Sequence, residues 1–178
     1  MARSIALLRA VNVGGRKLPM AELRALCSGE LGWEDVETYI QSGNLVFTAP
    51  GSGAASETRL EQAIAARFRF HSDVIVRTAS QWRQLVDSNP FPKESDREAN
   101  RVLVGLAKSK LAAGAAAAIV EAAVAGERVE EAGGALWFHY PHGVGTSKLT
   151  PKLIDRAAGS PVTARNWRTV TTLMEMLE

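Results

Sequence analysis

Val36-Glu37-Thr38-Tyr39-Ile40-Gln41-Ser42-Gly43-Asn44-Leu45-Val46-Phe47-Thr48 is the stretch that decides the fold. Val36 to Gln41 reads as a strand, Ser42-Gly43-Asn44 as a turn, and Leu45 to Thr48 as the returning strand. Upstream, Ser4 to Leu8 is a short apolar run of the kind a buried strand requires. Pro19 then suits a first helical turn, Met20, Leu23, Leu26 and Leu31 give that helix one apolar face, and Gly32 stops it. Downstream, Pro50-Gly51-Ser52-Gly53 is a loop, and Thr58 and Glu61 have the spacing of a capping box. Leu60, Ile64 and Phe68 come next at helical spacing, and Val74 to Arg77 is a strand. The order is β-α-β-β-α-β, the split unit of a ferredoxin-like sheet.

The order then starts again. Gln81 to Ser88 is expected as a helix, Asn89-Pro90-Phe91-Pro92 ends it, and Lys93 to Asn100 reads as a charged loop. This gives residues 1–88 as a first subdomain with a trailing helix, 89–100 as a linker, and 101–178 as a second subdomain with a C-terminal helix. Within the second half, Arg101 to Leu106 reads as a strand, and Ser109 is placed to cap an Ala-rich helix within Leu111 to Gly126. Glu127 to Glu131 and Ala135 to Tyr140 flank Gly133-Gly134 as a hairpin. A Gly-rich polar loop runs from Tyr140 to Lys148, Thr150-Pro151 opens a helix that ends near Gly159, and Val162 to Ala164 forms a short last strand. Trp167, Val170, Leu173, Met174 and Leu177 then give a closing amphipathic helix. The expected class is α+β: two ferredoxin-like βαββαβ subdomains, mostly antiparallel sheets with helices on one face, plus a C-terminal helix.

Composition narrows the functional classes. The 178 residues are 46% hydrophobic and 22% charged, which excludes a disordered, collagen-like or coiled-coil chain. With 21 Lys and Arg against 19 Asp and Glu, the net charge of +2 is not that of a polycation. Cys27 is the only cysteine, so no intrachain disulfide forms, and its place among Leu23, Leu26 and Leu31 points to a buried thiol. The apolar stretch before Arg9 is too short for a secretory signal core, and the Ala-rich segment falls short of the roughly 20 residues of a membrane span. A cytoplasmic protein with no membrane partner is expected.

Strand directions gather the polar residues. In a βαββαβ sheet the loop after the first strand and the hairpin after the second lie at one sheet end. Arg9, Asn12, Gly14, Gly15, Arg16 and Lys17 are thereby brought near Gln41, Ser42 and Asn44. By the same logic Tyr140, Gly143, Gly145, Ser147 and Lys148 approach Arg165, Asn166 and Trp167. Glycines admit a ligand close to the backbone, and cations supply charge, so both clusters read as anion-binding loops. Neither has the spacing of a phosphate loop or a dinucleotide fingerprint.

The expected ligand is a nucleotide or a phosphorylated or carboxylated metabolite. Arg9, Lys17, Lys148 and Arg165 would provide charge, and Asn12, Gln41, Ser42, Asn44, Ser147 and Asn166 would orient the ligand. No reaction is specified; Ser42, or Ser147 beside Lys148, is the nucleophile such chemistry would draw on. His139 and His142 flank Pro141 without an accompanying Cys or acidic cluster, so neither a metal nor a cofactor is expected. Two rival readings stand beside the anion site. One is a single-stranded nucleic-acid module, weakened by only 6% aromatic residues. The other is a protein-interaction scaffold, and unpaired sheet edges leave a homodimer open. Trp33, Trp82, Trp137 and Trp167 are expected in cores or in packing between the subdomains.

Four segments also carry a family resemblance. They are Leu7-Leu8-Arg9-Ala10-Val11-Asn12-Val13-Gly14-Gly15, Thr38-Tyr39-Ile40-Gln41-Ser42-Gly43-Asn44, the run Tyr140-Pro141-x-Gly143-x-Gly145-x-Ser147-Lys148-Leu149, and Arg165-Asn166-Trp167-x-Thr169-Val170. In this order they resemble the bacterial domain-of-unknown-function family 1697, from near the first residue to the last helix. The resemblance implies two ferredoxin-like subdomains in a cytoplasmic bacterial protein, and it supplies no reaction. The family often has glycine where Ala10 stands and lysine where Thr172 stands.

Overall fold

The computed structural model describes residues 1–178. They divide into two compact units, Met1–Trp82 with Leu173–Glu178, and Arg83–Thr172.

In the first unit, β1 (Ser4–Leu8) precedes α1 (Met20–Ala25), which runs on as a π-helical turn over Leu26–Glu30. β2 (Glu34–Tyr39) and β3 (Asn44–Thr48) form the expected hairpin, then α2 (Gly53–Phe68) and β4 (Val74–Thr78) complete the set. The sheet order is β2-β3-β1-β4, with every pairing antiparallel. Met20, Leu23, Leu26, Leu60 and Ile64 of the helices pack on Ala6, Leu8, Leu45, Phe47, Val74 and Val76 of the sheet. Trp33 stacks on Phe47 with ring centroids 4.2 Å apart. Ile5, Leu7, Val46 and Ile75, on the other face of the sheet, are buried too. A strand apolar on both faces shows no alternation, which is why Ser4 to Leu8 reads as a continuous apolar run.

The second unit repeats the plan. β5 (Val102–Ala107), α5 (Ala115–Val120), β6 (Arg128–Ala132), β7 (Ala135–His139), α6 (Pro151–Ala158) and β8 (Val162–Asn166) give a sheet of order β6-β7-β5-β8, again antiparallel. Ala115, Ile119, Leu136, Phe138, Leu149 and Ala158 form its helix-side core. Gly133 and Gly134 turn β6 into β7 with φ of 59° and 75°, the doubly left-handed geometry that suits a two-residue hairpin. Thr150 caps α6 by accepting from the Leu153 N–H at 3.2 Å, and Gly159 ends that helix at φ 69°. Two further helices are α3 (Ala79–Asp87) and the C-terminal α7 (Trp167–Met176).

Local structure departs from the sequence reading in three places. The charged stretch expected as a loop after Pro92 is helical over Pro92–Arg97 (α4) and 3-10 over Ala99–Arg101. The Ala-rich helix is only the six residues of α5, because Gly114 breaks the chain at φ 73° and the segment has few apolar side chains to bury; Ser109 does not cap it. Finally, α2 starts at Gly53 with Ser52 as its cap, accepting from Ala55 N–H at 3.2 Å, so Thr58 and Glu61 form no capping box.

Glu61 has another role. Its carboxylate accepts the Val74 N–H at 2.9 Å, and Glu57 accepts the Val76 N–H at 2.8 Å. Both donors lie on β4, an edge strand. In the second unit Asp155 of α6 accepts the N–H of Val162 on the edge strand β8 at 3.0 Å. Helix carboxylates thus occupy edge donors that would otherwise template pairing with another strand.

Cys27 is fully buried, and burial pushes its thiol up to about 12. The folded protein should therefore leave the thiol unreacted with a maleimide at pH 8, with labelling appearing only in denaturant; mass spectrometry of the labelled chain checks this.

Candidate functional site

The end of the first sheet where β1 leaves and β3 enters carries the polar loop. Leu8 N–H donates to the Gly43 carbonyl at 2.8 Å, which ties the loop after β1 to the β2–β3 hairpin. Asn12 organises the loop residues beyond it. Its Oδ1 accepts from the Leu18 N–H at 2.8 Å, while its Nδ2 donates to the carbonyls of Leu18 at 3.0 Å and Gln41 at 2.6 Å. Its own N–H donates to the Arg16 carbonyl at 2.7 Å. Residues 13–17 are therefore a short excursion stapled at its base by one side chain.

The backbone at this end is unusual. Ala10, Asn12 and Ile40 adopt φ of 55°, 57° and 50°, and Gly14, Gly15 and Gly43 adopt 57°, 81° and 87°. A left-handed β-branched residue costs energy that the surrounding hydrogen bonds must offset. Ala10 takes this conformation at the position where the family resemblance expects glycine. A Cβ on Gly14 or Gly15 would meet nothing within 4 Å, so conformation and open approach, rather than packing, are what glycine supplies there. Gly43 differs, as its Cβ would lie 2.7 Å from Val11 Cγ2.

The candidate side chains divide into two groups. Asn44 is fully buried, with Nδ2 donating to the Tyr39 carbonyl at 2.9 Å and to Ser42 Oγ at 3.0 Å. Asn12, Ser42 and Asn44 therefore hold the loops in place. Arg9 is half-buried; its N–H donates to the Asp73 carbonyl, and its carbonyl accepts from Ser72 Oγ at 2.7 Å. Gln41, Arg16 and Lys17 are exposed, and neither cation makes an ion pair.

In the second unit the Gly-rich loop is tied down by a carboxylate that sequence reasoning missed. Glu127 is 6% exposed; its Oε1 accepts from Ser147 Oγ at 2.9 Å and its Oε2 from the Ala125 N–H at 2.9 Å. Ser147 Oγ also accepts from the Leu149 N–H at 3.1 Å, so this hydroxyl is committed to the loop. Burial raises the Glu127 pKa, but bonds from the N–H groups of Ala125, Glu127 and Val124 and from Ser147 outweigh it and hold the carboxyl below its ordinary value. Tyr140 is buried, and burial together with Glu127 raises its phenol above the ordinary range.

The Glu127 carboxylate makes the stability of the fold depend on pH. A depressed carboxyl stabilises the fold above its unfolded pKa, and that contribution is lost as pH falls through the folded value. Glu127→Gln should melt earlier than wild type at pH 7, and the gap should shrink as pH drops below 4.5; paired thermal melts across pH 3 to 7 measure it.

Asn166 and Arg165 serve the fold at the same end of this sheet, on the edge strand β8. Asn166 Oδ1 accepts from the Thr169 N–H at 2.9 Å at the start of α7. Asn166 and Phe138 both pair with Leu103, so two strand spacings, roughly 10 Å, separate β8 from β7. No hydrogen bond joins Asn166 to the Gly-rich loop. Burial lowers the Arg165 guanidinium to about 10, and its NH1 donates to the Ala164 carbonyl at 2.9 Å. Gly143 at φ 84°, Gly145 and the exposed Lys148 remain at the loop surface. No group of three or more His, Cys, Asp or Glu side chains is arranged to hold a metal ion, and His142 is exposed while His139 is buried.

Comparison with known proteins agrees with this architecture. The family described as "Protein of unknown function (DUF1697)" matches residues 1–137. The chain belongs to the DUF1697 family. Among solved structures, a conserved bacterial protein, SP0830 from Streptococcus pneumoniae, is 25% identical, with a TM-score of 0.72 over 99% of this chain and 98% of that one. The DUF1697 fold is thus shared over nearly the full length of both chains. No curated protein matches the sequence. No helix is long and apolar enough to cross a membrane.

Proposed function

We propose that this DUF1697 protein binds an anionic small molecule, a nucleotide or a phosphorylated or carboxylated metabolite, at the stapled loop after β1. One observation carries the reading: Asn12 fixes the base of residues 13–17, while Arg16 and Lys17 stay exposed and unpaired beside two left-handed glycines. A pre-ordered loop loses little entropy on binding, and unpaired guanidinium and ammonium groups are the partners an oxyanion needs. Gln41, bonded through its carbonyl to Asn12, supplies an amide at the rim. In the second unit Gly143, Gly145 and Lys148 form a smaller surface of the same kind, with Ser147 serving as its anchor. The protein is read as cytoplasmic, where a lone buried thiol stays reduced.

Thermal-shift screening against nucleotides, inorganic phosphate, phosphorylated metabolites, carboxylates and short oligonucleotides tests the proposal. A ligand at about 100 times its dissociation constant adds roughly 2.7 kcal/mol to stability. The expected result is stabilisation by one small anion class, reduced at least tenfold in affinity by Arg16→Ala/Lys17→Ala. Affinity that grows with oligonucleotide length and falls steeply with salt would assign the loop to nucleic acid instead. A folded protein that responds to none of the panel would leave a scaffold role.

A further inference from the structure

His139, at the end of β7, is 8% exposed, and neither ring nitrogen has a hydrogen-bond partner in the protein. A buried imidazole left unpaired is costly and calls for a reason. Its surroundings are charged. The Glu98 carboxylate lies 3.6 Å from Nε2, and Phe91 packs against the ring at a centroid distance of 6.1 Å. Arg128 is its cross-strand neighbour on β6, sits over the Phe91 ring at 4.7 Å, and pairs with Glu94 of α4 at 2.8 Å. A bond from its own backbone N–H and another from Arg128 hold Glu94 below the usual carboxylate range.

Glu98 reaches further. Its other oxygen, Oε1, accepts from Arg101 NH1 at 2.9 Å, and the same NH1 donates to the Pro141 carbonyl at 2.6 Å. The Arg101 carbonyl in turn accepts the Tyr140 N–H at 2.8 Å. The chain His139, Glu98, Arg101, Pro141 therefore ends at the stem of the Gly-rich loop, with Glu98 using one oxygen for each neighbour.

We propose that His139 and Glu98 form a proton-operated latch on the 140–148 loop. Protonation makes Nε2 a charged donor, and closing the gap from 3.6 Å to about 2.8 Å completes a bond to Glu98 Oε2. The charged groups around the ring are Glu94, Glu98, Arg101 and Arg128, and each arginine is already paired with a carboxylate. The proton fixes Glu98 in place, Glu98 holds Arg101, and Arg101 holds Pro141, so the loop stem is tighter when His139 is charged. The latch does not depend on whether the loop binds an anion.

The test is a pH titration monitored by NMR in a His142→Gln background, which removes the loop's own imidazole. The His139 ring resonances and the amides of Tyr140 and Gly143 are expected to move together, with one midpoint. Adding Glu98→Gln is expected to abolish the amide movement while His139 still titrates. Three results would overturn the latch: a His139 ring silent across the titration, loop amides that do not move with it, or amide movement that survives Glu98→Gln.

Discussion

Replacing Gly43 by alanine should lower the stability of the folded protein by about 2–4 kcal/mol and disorder the site. Two costs add. The residue sits at φ 87°, where an L side chain is strained, and the new Cβ would fall 2.7 Å from Val11 Cγ2 and 2.8 Å from Leu8 Cβ. Neither neighbour can yield easily. Leu8 and Val11 are both buried, and the backbone of Leu8 is bonded to Gly43 itself. A urea melt should show a lower midpoint with an unchanged slope, the sign of lost stability without a change of native compactness. Since Gly43 and Gln41 belong to the hairpin that Asn12 grips, any anion-induced thermal shift should fall with it.

Trp137→Ala should be the more damaging change in the second unit, at about 3–5 kcal/mol. Trp137 is fully buried on the face of its sheet opposite α5 and α6, with Val104 as its β5 partner. Its ring lies 5.9 Å from that of Trp167, and its Nε1 donates to the Ala132 carbonyl at 3.0 Å. Truncation leaves a cavity and removes the indole bond to the Ala132 carbonyl beside the Gly133-Gly134 turn. Trp137→Phe keeps much of the volume and should cost less than half as much. Equal losses for the two variants would mean that the indole N–H, rather than packing, dominates at this position.

The sequence conveys the fold more fully than the site, and the reason is the range of the interactions. The hairpin around Ser42-Gly43-Asn44, the Gly133-Gly134 turn and the Thr150 cap are set by neighbours a few residues away, so their residues announce them. Where local signals compete, the reading slips. Ser52 caps α2 ahead of Thr58, and Gly114 cuts short an alanine run with little apolar face to hold it against the sheet. The stapling of residues 13–17 needs Asn12 to meet the Gln41 carbonyl, a contact 29 residues apart in sequence. Glu127 reads as an ordinary strand-end acid until the fold places Ser147, 20 residues on, against it. For Glu57 and Glu61 the partners are edge N–H groups on β4, which no pattern along α2 reveals. Several residues proposed to orient a ligand, Asn12, Asn44, Ser147 and Asn166 among them, spend their polar atoms within the protein. Gln41 and the cations at the loop tips are what remain exposed.

Backbone NMR tests anion binding by the stapled loop where it would occur. Titrating the folded protein first with inorganic phosphate and then with a nucleoside monophosphate should move the amide resonances of Gly14, Gly15 and Lys17 in a saturable way. Arg16→Ala/Lys17→Ala should remove those shifts while the sheet resonances stay in place. Amides of residues 13–17 that stay fixed across the titration, or shifts unaffected by loss of both cations, would mean that the loop is not an anion site built on Arg16 and Lys17.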